Sequence, residues 1–245
     1  MSSKFPDIVK LLDTAFSQAR ILNINGRRYV YKSYNREVGI IKWFFIKVAG
    51  ITTKVYPYTA DPLLRMKREL EFIDELKDYL GLPRVILRDW IGKSIVREYV
   101  EGVVFDPVSD PIEYRHIGEL LARIHSYGYA LGDTKFQNFV KTSDGYIVVD
   151  SEQAIKTSDY GFMYWDIIVF TVTSIYGFIS KKPLRALVEI KPRLREFLGG
   201  YIERGGSLAE TVLKCYTRFN YRGLVYILLP TPYNIQYFRV IEELL

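Results

Sequence analysis

One stretch near the middle of the chain limits the folds that this sequence can adopt. Asp133 is followed by Lys135 and Asn138, and two apolar segments then flank the turn Ser143-Asp144-Gly145 before the chain reaches Asp150. Asp-Gly favours a tight turn between two strands. The pattern therefore predicts a β-hairpin that carries Asn138 at one end and Asp150 at the other.

These side chains suit the transfer of a phosphoryl group, which depends on the placement of charge more than on covalent chemistry. Asp133 would accept the proton of an attacking hydroxyl, and Lys135 would neutralise the transferred group. Asn138 and Asp150 offer oxygen ligands, which Mg²⁺ prefers. A chance Asp-x-Lys-x-x-Asn in a surface loop is the alternative for the hexapeptide alone, and the flanking elements argue against it.

The stretch resembles the catalytic loop and metal motif of the protein-kinase-like superfamily. It is most similar to the small atypical branch with Bud32, RIO and Kdo (lipopolysaccharide) kinases, where Gly often precedes the catalytic Asp, as Gly132 does here. Leu131 replaces the usual His, and Ser151-Glu152 replaces Phe-Gly after Asp150. The resemblance implies an α+β, two-lobed fold with a small β-rich N-terminal lobe and a mainly helical C-terminal lobe.

The segment Glu98-Tyr99-Val100-Glu101-Gly102 resembles the hinge between the lobes of this superfamily. The expected divisions are an N-terminal lobe at residues 1–98, a hinge at 99–102 and a helical lobe at 103–245. The resemblance implies that the carbonyl of Glu98 and the amide of Val100 hold the adenine of a nucleotide. Arg97 stands where the family usually has an apolar residue, so ATP is expected and GTP stays open.

Further upstream, the pair Asn25-Gly26 predicts a tight β-hairpin, because both residues readily adopt positive φ angles. Its strands would run over Ala19–Ile24 and Arg27–Ser33. Lys32 lies near the end of the second strand, at the position of the superfamily's phosphate-contacting lysine. Taken alone, such a lysine is better explained as a solubilising charge on an edge strand.

A long helix is predicted to begin at Asp61-Pro62, where Asp61 is the N-cap, and to end at Gly81. At about 100° per residue, its apolar residues share one face. They are Met66, Leu70, Ile73, Leu76 and Leu80.

Glu69 falls inside this apolar arc, where a carboxylate is costly unless it is paired. We expect Lys32 to be its partner, in the ion pair that members of the superfamily use to position the phosphates of ATP. A surface ion pair with Arg65 or Arg68 is the alternative.

The weakest likeness is in the loop that would cover the phosphates. Phe16 and Ser17 occupy its aromatic and small positions, but the segment contains no glycine. Since glycine lets backbone amides approach phosphates closely, we expect this loop to cover the nucleotide loosely.

A second helix is predicted to start at Asp110-Pro111, where Asp110 and Glu113 would form a capping box. His116 and His125 lie on this helix without the spacing of a zinc site, and we interpret them as structural. Asp166 resembles the aspartate that accepts backbone amides of the catalytic loop, and a helix cap is the alternative.

The sequence predicts no membrane span, because a span needs roughly 20 apolar residues. The run Ile40–Ile51 is shorter and contains two lysines, and the run Met163–Ile179 contains Asp166. The single cysteine, Cys215, excludes an internal disulfide and suits a reducing compartment. No secretion signal is recognisable at the start, so we expect a cytoplasmic protein.

Beyond Lys181, the sequence predicts helices divided at Gly199-Gly200, Gly205-Gly206 and Pro230. This region holds two basic clusters, in a chain whose net charge is +6. The first comprises Lys181, Lys182, Arg185, Lys191, Arg193 and Arg195, and the second interleaves Arg218 and Arg222 with Tyr216, Phe219 and Tyr221. Basic and aromatic side chains together can hold phosphates and stack on unpaired bases. A solvated helix face is the alternative.

Three functions remain open from the sequence. The leading one is a phosphotransferase that uses ATP and Mg²⁺ on a hydroxyl of RNA, such as a tRNA ribose hydroxyl, with protein serine or threonine nearly as well supported. The second is a nucleotide-binding pseudokinase subunit, which the missing glycines favour. The third is an RNA-binding protein without kinase chemistry. The last two leave unexplained why six polar residues are retained together: Lys32, Glu69, Asp133, Lys135, Asn138 and Asp150.

Overall fold

The computed structural model describes residues 19–35 and 55–245. These residues form two compact units, the first built from 19–35 and 58–99 and the second from 55–57 and 100–245. The chain passes from the first unit to the second between Tyr99 and Val100, within the segment predicted as a hinge. Phe16, Ser17 and the apolar run Ile40–Ile51 lie outside the described residues.

The first unit contains a four-stranded antiparallel sheet in the order β1-β2-β4-β3. Its strands are β1 (Ala19–Ile24), β2 (Arg27–Ser33), β3 (Val85–Asp89) and β4 (Ser94–Glu98). Asn25 and Gly26 join β1 to β2 with φ angles of 51° and 76°. The predicted hairpin is therefore confirmed, together with the positive φ angles on which the prediction depended.

Helix α1 of this unit runs over Pro62–Leu80. Asp61 caps it by accepting a hydrogen bond from the amide of Leu64 at 2.6 Å, and Gly81 ends it in the left-handed conformation. Arg65 is buried, contrary to the alternative of a surface ion pair, and its guanidinium donates to the carbonyl oxygen of Tyr34. The apolar face predicted for this helix is buried.

The second unit is mainly helical. Its helices are α2 (Pro111–Ser126), α3 (Tyr160–Lys181), α4 (Ala186–Leu213), α5 (Phe219–Leu228) and α6 (Tyr233–Leu244). Its strands are β5 (Val103–Val104), β6 (Tyr129–Ala130), β7 (Phe139–Thr142), β8 (Gly145–Val148) and β9 (Ile155–Lys156). They form the sheets β5-β7-β8 and β6-β9. The predicted second hairpin is confirmed as β7 and β8, although Gly145 belongs to β8 instead of the turn.

Helix α4 continues through Gly199-Gly200, so the break predicted there is wrong. The glycines serve close packing, because a Cβ atom on Gly200 would lie 2.6 Å from the carbonyl oxygen of Arg115 in α2. Across the same contact, a Cβ atom on Gly118 would lie 2.0 Å from the carbonyl oxygen of Phe197. The break predicted at Gly205-Gly206 is present as a kink at Gly206.

The capping box predicted at the start of α2 is also wrong. The side chain of Asp110 makes no capping hydrogen bond. Glu113 instead accepts hydrogen bonds from Lys141 at 2.8 Å and from the Tyr146 hydroxyl at 2.6 Å. Burial alone would raise the pKa of Glu113, but these two hydrogen bonds outweigh it and lower the pKa below its usual value.

Helix α3 is the one helix in the described part of the chain that is long and apolar enough to cross a bilayer. Of its most apolar window, 72% is buried inside the protein. A helix that is apolar on all sides is also typical of a protein core, so this is weak evidence for a span. The predicted cytoplasmic location stays a prediction.

Candidate functional site

In the first unit, Lys32 and Glu69 form a buried ion pair. Nζ of Lys32 lies 2.6 Å from Oε2 of Glu69, and both side chains are almost fully buried. The same carboxylate oxygen accepts a hydrogen bond from the hydroxyl of Tyr34 at 2.7 Å. The partner predicted for Glu69 is thus the one observed, and the tyrosine adds a second donor that compensates for the loss of water.

The alternation of β2 explains how Lys32 reaches the interior. Successive side chains of a strand point to opposite faces, and Val30, Lys32 and Tyr34 are the buried ones here. Tyr34 packs with Met66 of α1 in the apolar cluster of this unit. Sequence reasoning missed Tyr34, because its spacing from Lys32 indicates the shared face but not the contact with Glu69.

In the second unit, the predicted catalytic loop begins at Gly132, which has a φ of 74°. Besides requiring this conformation, the position has no room for a side chain, because a Cβ atom would lie 2.3 Å from the ring of Tyr56. The Tyr56 hydroxyl donates to the carbonyl oxygens of Ala130 and Gln153, at 3.0 and 2.7 Å. Gly132 is therefore required for both its backbone conformation and its size.

Asp166 of α3 holds this loop, as the sequence predicted. Its carboxylate accepts hydrogen bonds from the amides of Leu131 and Gly132 at 2.6 and 2.7 Å. Its backbone carbonyl accepts the hydroxyl of Thr134 at 2.6 Å. The alternative, a helix cap, is wrong, because Asp159 caps α3 through the amide of Gly161. Asp166 is thus a positioning residue beneath the loop.

His125 of α2 completes this support. Its Nε2 atom lies 3.1 Å from the Asp166 carboxylate, and its Nδ1 atom lies 2.7 Å from the hydroxyl of Tyr201 in α4. The structural interpretation of His125 agrees with this burial, but neither partner could be recognised from the sequence. Predicting these contacts would require knowing which residues of α2, α3 and α4 lie next to one another.

Asp133 and Lys135 lie together on the loop, with Nζ of Lys135 3.2 Å from Oδ2 of Asp133. Asn138 follows in a short 3-10 turn, and its Nδ2 donates to the backbone carbonyl of Asp133 at 2.7 Å. The loop thus brings a carboxylate, an ammonium group and an amide together. A general base with a neighbouring cation is an arrangement that proton abstraction and phosphate binding can use.

The hairpin brings Asp150 to the same end of β7 and β8 as Asn138. Phe139 pairs with Val148, and the Val149 amide donates to the Asn138 carbonyl at 2.9 Å. Because Nδ2 of Asn138 is held by Asp133, its Oδ1 atom is the one oriented to accept a cation. An amide oxygen and a carboxylate are suitable ligands for Mg²⁺, so the donor set fits this metal.

The predicted hinge begins at the end of β4. The Glu98 amide donates to the carbonyl of Arg84 at 3.0 Å, and the Tyr99 amide donates to the carbonyl of Arg28 at 3.3 Å. Within residues 19–35 and 55–245, the Val100 amide makes no hydrogen bond. Arg97 of β4 is buried, unlike most arginines.

No family model matches the chain. Over 162 residues it is 27% identical to a probable serine/threonine-protein kinase BUD32 homolog of Archaeoglobus fulgidus, covering 66% of this chain and 76% of the relative. Over 164 residues it is 27% identical to the EKC/KEOPS complex subunit BUD32 of Encephalitozoon cuniculi, covering 65% and 75%.

A third relative is a probable bifunctional tRNA threonylcarbamoyladenosine biosynthesis protein of Methanoculleus marisnigri. The identity is 29% over 93 residues, which is 38% of this chain and 18% of that protein. Among solved structures, WaaP in complex with acyl carrier protein is similar over 100% of this chain and 98% of its own, with a TM-score of 0.50 and 13% identity. This likeness concerns the fold alone, and it confirms the α+β fold expected from the sequence.

Proposed function

The chain belongs to the atypical branch of the protein-kinase-like superfamily, and from this premise we propose that it transfers the γ-phosphate of ATP to a hydroxyl acceptor with the help of Mg²⁺. The observation that carries the proposal is the catalytic loop of the second unit. There Asp133, Lys135 and Asn138 are held together by direct contacts, and Asp166 fixes the backbone beneath them.

In this proposal Asp133 is the general base that accepts the proton of the acceptor hydroxyl. Lys135 orients the Asp133 carboxylate and offsets the negative charge of the transferred group. Asn138 and Asp150 would hold Mg²⁺, which when bound would supply positive charge to offset that of the phosphates. None of these roles requires the Phe-Gly that Ser151-Glu152 replaces.

The first unit would bind the nucleotide. Lys32 contacts the phosphates, and Glu69 keeps its ammonium group in place, helped by the Tyr34 hydroxyl. The Glu98 carbonyl and the Val100 amide hold the adenine, which favours ATP over GTP. Phe16 and Ser17 are assigned, on the sequence alone, to the loop that covers the phosphates.

For the acceptor, we favour an RNA hydroxyl, such as a tRNA ribose hydroxyl. The basic charge of the chain and the relative named for tRNA modification support this choice. Protein serine or threonine is the second candidate, favoured by the name of the Archaeoglobus fulgidus relative. A pseudokinase subunit is less well supported, because each unit keeps its own charged pair. Lys32 contacts Glu69 in the first unit, and Lys135 contacts Asp133 in the second.

The test is incubation of the full chain with γ-labelled ATP and Mg²⁺, with total tRNA in one reaction and a cell protein extract in another. We expect label in RNA with the wild type and none with Asp133→Ala. Label in protein and none in RNA would reverse the order of the two acceptors. No label in either, combined with no rise in melting temperature on adding Mg-ATP, would contradict the kinase proposal itself.

A further inference from the structure

The two basic clusters of the C-terminal region differ in how many of their cations are paired with carboxylates. In the first cluster, five cations are paired with carboxylates. The pairs are Lys181 with Asp106 at 2.9 Å, Arg185 with Glu189 at 3.5 Å, Lys191 with Glu243 at 2.9 Å, Arg193 with Glu189 at 3.3 Å, and Arg195 with Glu243. These five cations share three carboxylates, Asp106, Glu189 and Glu243, so the cluster is compensated in part, and it agrees with the alternative of a solvated helix face.

The second cluster lacks this compensation. Arg218 and Arg222 of this cluster make no ion pair with any of the described residues, and neither does Lys214, which lies four residues before Arg218. The sequence explains the difference, because no Asp or Glu occurs between Glu210 and Glu242. Around α5 the positive charge is thus exposed to solvent and available to an anionic partner.

The same surface carries exposed aromatic and apolar side chains. Phe219 is 94% exposed, Ile227 is 75% exposed and Tyr226 is 49% exposed. Arg222 and Tyr226 follow Phe219 by three and seven positions in α5, so these three side chains share one side of the helix. Ile227 lies at the edge of this side, about 80° around the helix from Phe219. A Cβ atom added to Gly223, between them, would meet nothing within 4 Å. We use the name α5 face for the exposed residues Arg218, Phe219, Arg222, Tyr226 and Ile227 together with Lys214, which is exposed in the 3-10 turn that precedes α5.

The opposite side of α5 is anchored to the helix that supports the catalytic loop. Tyr221 is buried and packs edge-to-face on Tyr164 of α3, with ring centroids 5.5 Å apart. Its hydroxyl also lies so close to Gly161 that a Cβ atom there would be 2.2 Å away. Since α3 carries Asp166, the α5 face is rigidly connected to the loop of Asp133 within one compact unit.

We propose that the α5 face binds a single-stranded segment of RNA, which rests on the proposed function in that RNA is the favoured acceptor. Lys214, Arg218 and Arg222 contact phosphates, and Phe219 stacks on an unpaired base. A phenyl ring that is 94% exposed presents both faces to solvent, and any base can stack on it. The N-terminus of α5, which no side chain caps, adds backbone donors for a phosphate.

The test is binding of the full chain to a fluorescent tRNA transcript, measured by anisotropy at several salt concentrations and without nucleotide. The variant Lys214→Gln/Arg218→Gln/Arg222→Gln removes three cations of the α5 face. Its control, Lys181→Gln/Lys191→Gln/Arg195→Gln, makes the same change of charge in the first cluster. We expect the first to reduce the slope of log K against log salt by about two, at about 0.7 per phosphate contact on single strands. The control should change it little.

Phe219→Ala separates stacking from charge, and we expect it to weaken tRNA binding about tenfold while leaving heparin binding unchanged. If Phe219→Ala had no effect and heparin competed as well as tRNA, the face would be a general polyanion or acidic-protein surface, and the proposal would be overturned. Equal losses in the two triple variants would also overturn it. Because Arg222 packs over the ring of Phe238 at 5.2 Å, Lys214→Gln/Arg218→Gln serves as a second variant if the triple one melts early.

Failure of this proposal can be distinguished from failure of the proposed function. Asp133→Ala should bind the transcript with wild-type affinity, because Asp133 lies outside the α5 face. RNA binding that depends on α5, without labelling of RNA by ATP, would leave the surface established and reject RNA as the acceptor. If the triple variant of the α5 face bound RNA with unchanged affinity and still labelled it, the surface alone would be rejected.

Discussion

The imidazole Nε2 of His125 lies 3.1 Å from the carboxylate of Asp166, and both side chains are fully buried. Burial raises the pKa of Tyr201 well above its usual value, so this phenol keeps its proton. It can therefore donate to Nδ1 of His125, which leaves the proton of Nε2 for Asp166. This chain of hydrogen bonds supports the loop through Asp166. Leu131 stands where the superfamily usually has His, and its apolar side chain cannot form such hydrogen bonds.

Tyr201→Phe should show how far the loop depends on this chain. The substitution removes the donor to His125 Nδ1 and leaves a buried acceptor unpaired, which costs about 1–3 kcal/mol in the free energy of unfolding. We also expect a lower kcat with little change in the KM for ATP, because the loop and not the nucleotide site is disturbed. Urea denaturation and steady-state kinetics measure both. Tyr176→Phe, at an exposed position of α3, is the matched control, and equal effects of the two would contradict the role of Tyr201.

Lys32→Met should destabilise the first unit by more than the double variant Lys32→Met/Glu69→Leu does. The single variant leaves a buried carboxylate without its cation, a loss of about 3–5 kcal/mol, whereas the double variant replaces both charges by apolar groups. Denaturation curves of the two variants give the comparison. Both variants should lack nucleotide turnover, because both lack the lysine proposed to contact the phosphates. A double variant that is less stable than Lys32→Met would show that Glu69 does not depend on Lys32.

Asp150→Ala should abolish turnover at every Mg²⁺ concentration, because it removes the only carboxylate among the proposed ligands. Asn138→Ala should raise the Mg²⁺ concentration needed for half-maximal rate, since one neutral ligand is lost. Activity titrated with Mg²⁺ measures both. Asp144→Ala changes an exposed carboxylate in the turn of the same hairpin and should behave as the wild type. Full activity of Asp150→Ala would refute the assignment.

Cys215 should resist alkylation in the folded protein. Its side chain is buried, and burial raises the pKa of the thiol above its usual value. Only the thiolate reacts, so at pH 8 both the low thiolate fraction and the lack of access slow the reaction. Mass spectrometry after iodoacetamide treatment, with and without denaturant, tests this. Rapid, complete labelling without denaturant would mean that the residue is accessible.

Short-range signals predicted the first hairpin and α1 to the residue. Asn25-Gly26 requires a particular turn, and Asp61 with Gly81 define the two ends of one helix, so little depends on the rest of the chain. The Lys32 and Glu69 pairing was also predictable, because a carboxylate in an apolar arc needs a cation and the resemblance supplied one.

The predictions that failed concern contacts between distant elements. Gly199-Gly200 looks like a helix end in isolation, yet the close approach of α2 keeps the helix continuous. Glu113 matches a capping box by its spacing, yet Lys141 and Tyr146 bind its carboxylate instead. Tyr34 and Tyr201 escaped prediction for the same reason, since a tyrosine acquires a polar role only through its partner.

The backbones of α2 and α4 touch at Gly118 and Gly200, with no side chain between them to absorb a displacement. The two helices must therefore move together, and the gap that separates them is set by main-chain atoms. His125 belongs to one of these helices and Tyr201 to the other, one residue after Gly200. A single methyl group inserted at this crossing would push the two helices apart and, through His125 and Asp166, shift the backbone of the loop that carries Asp133.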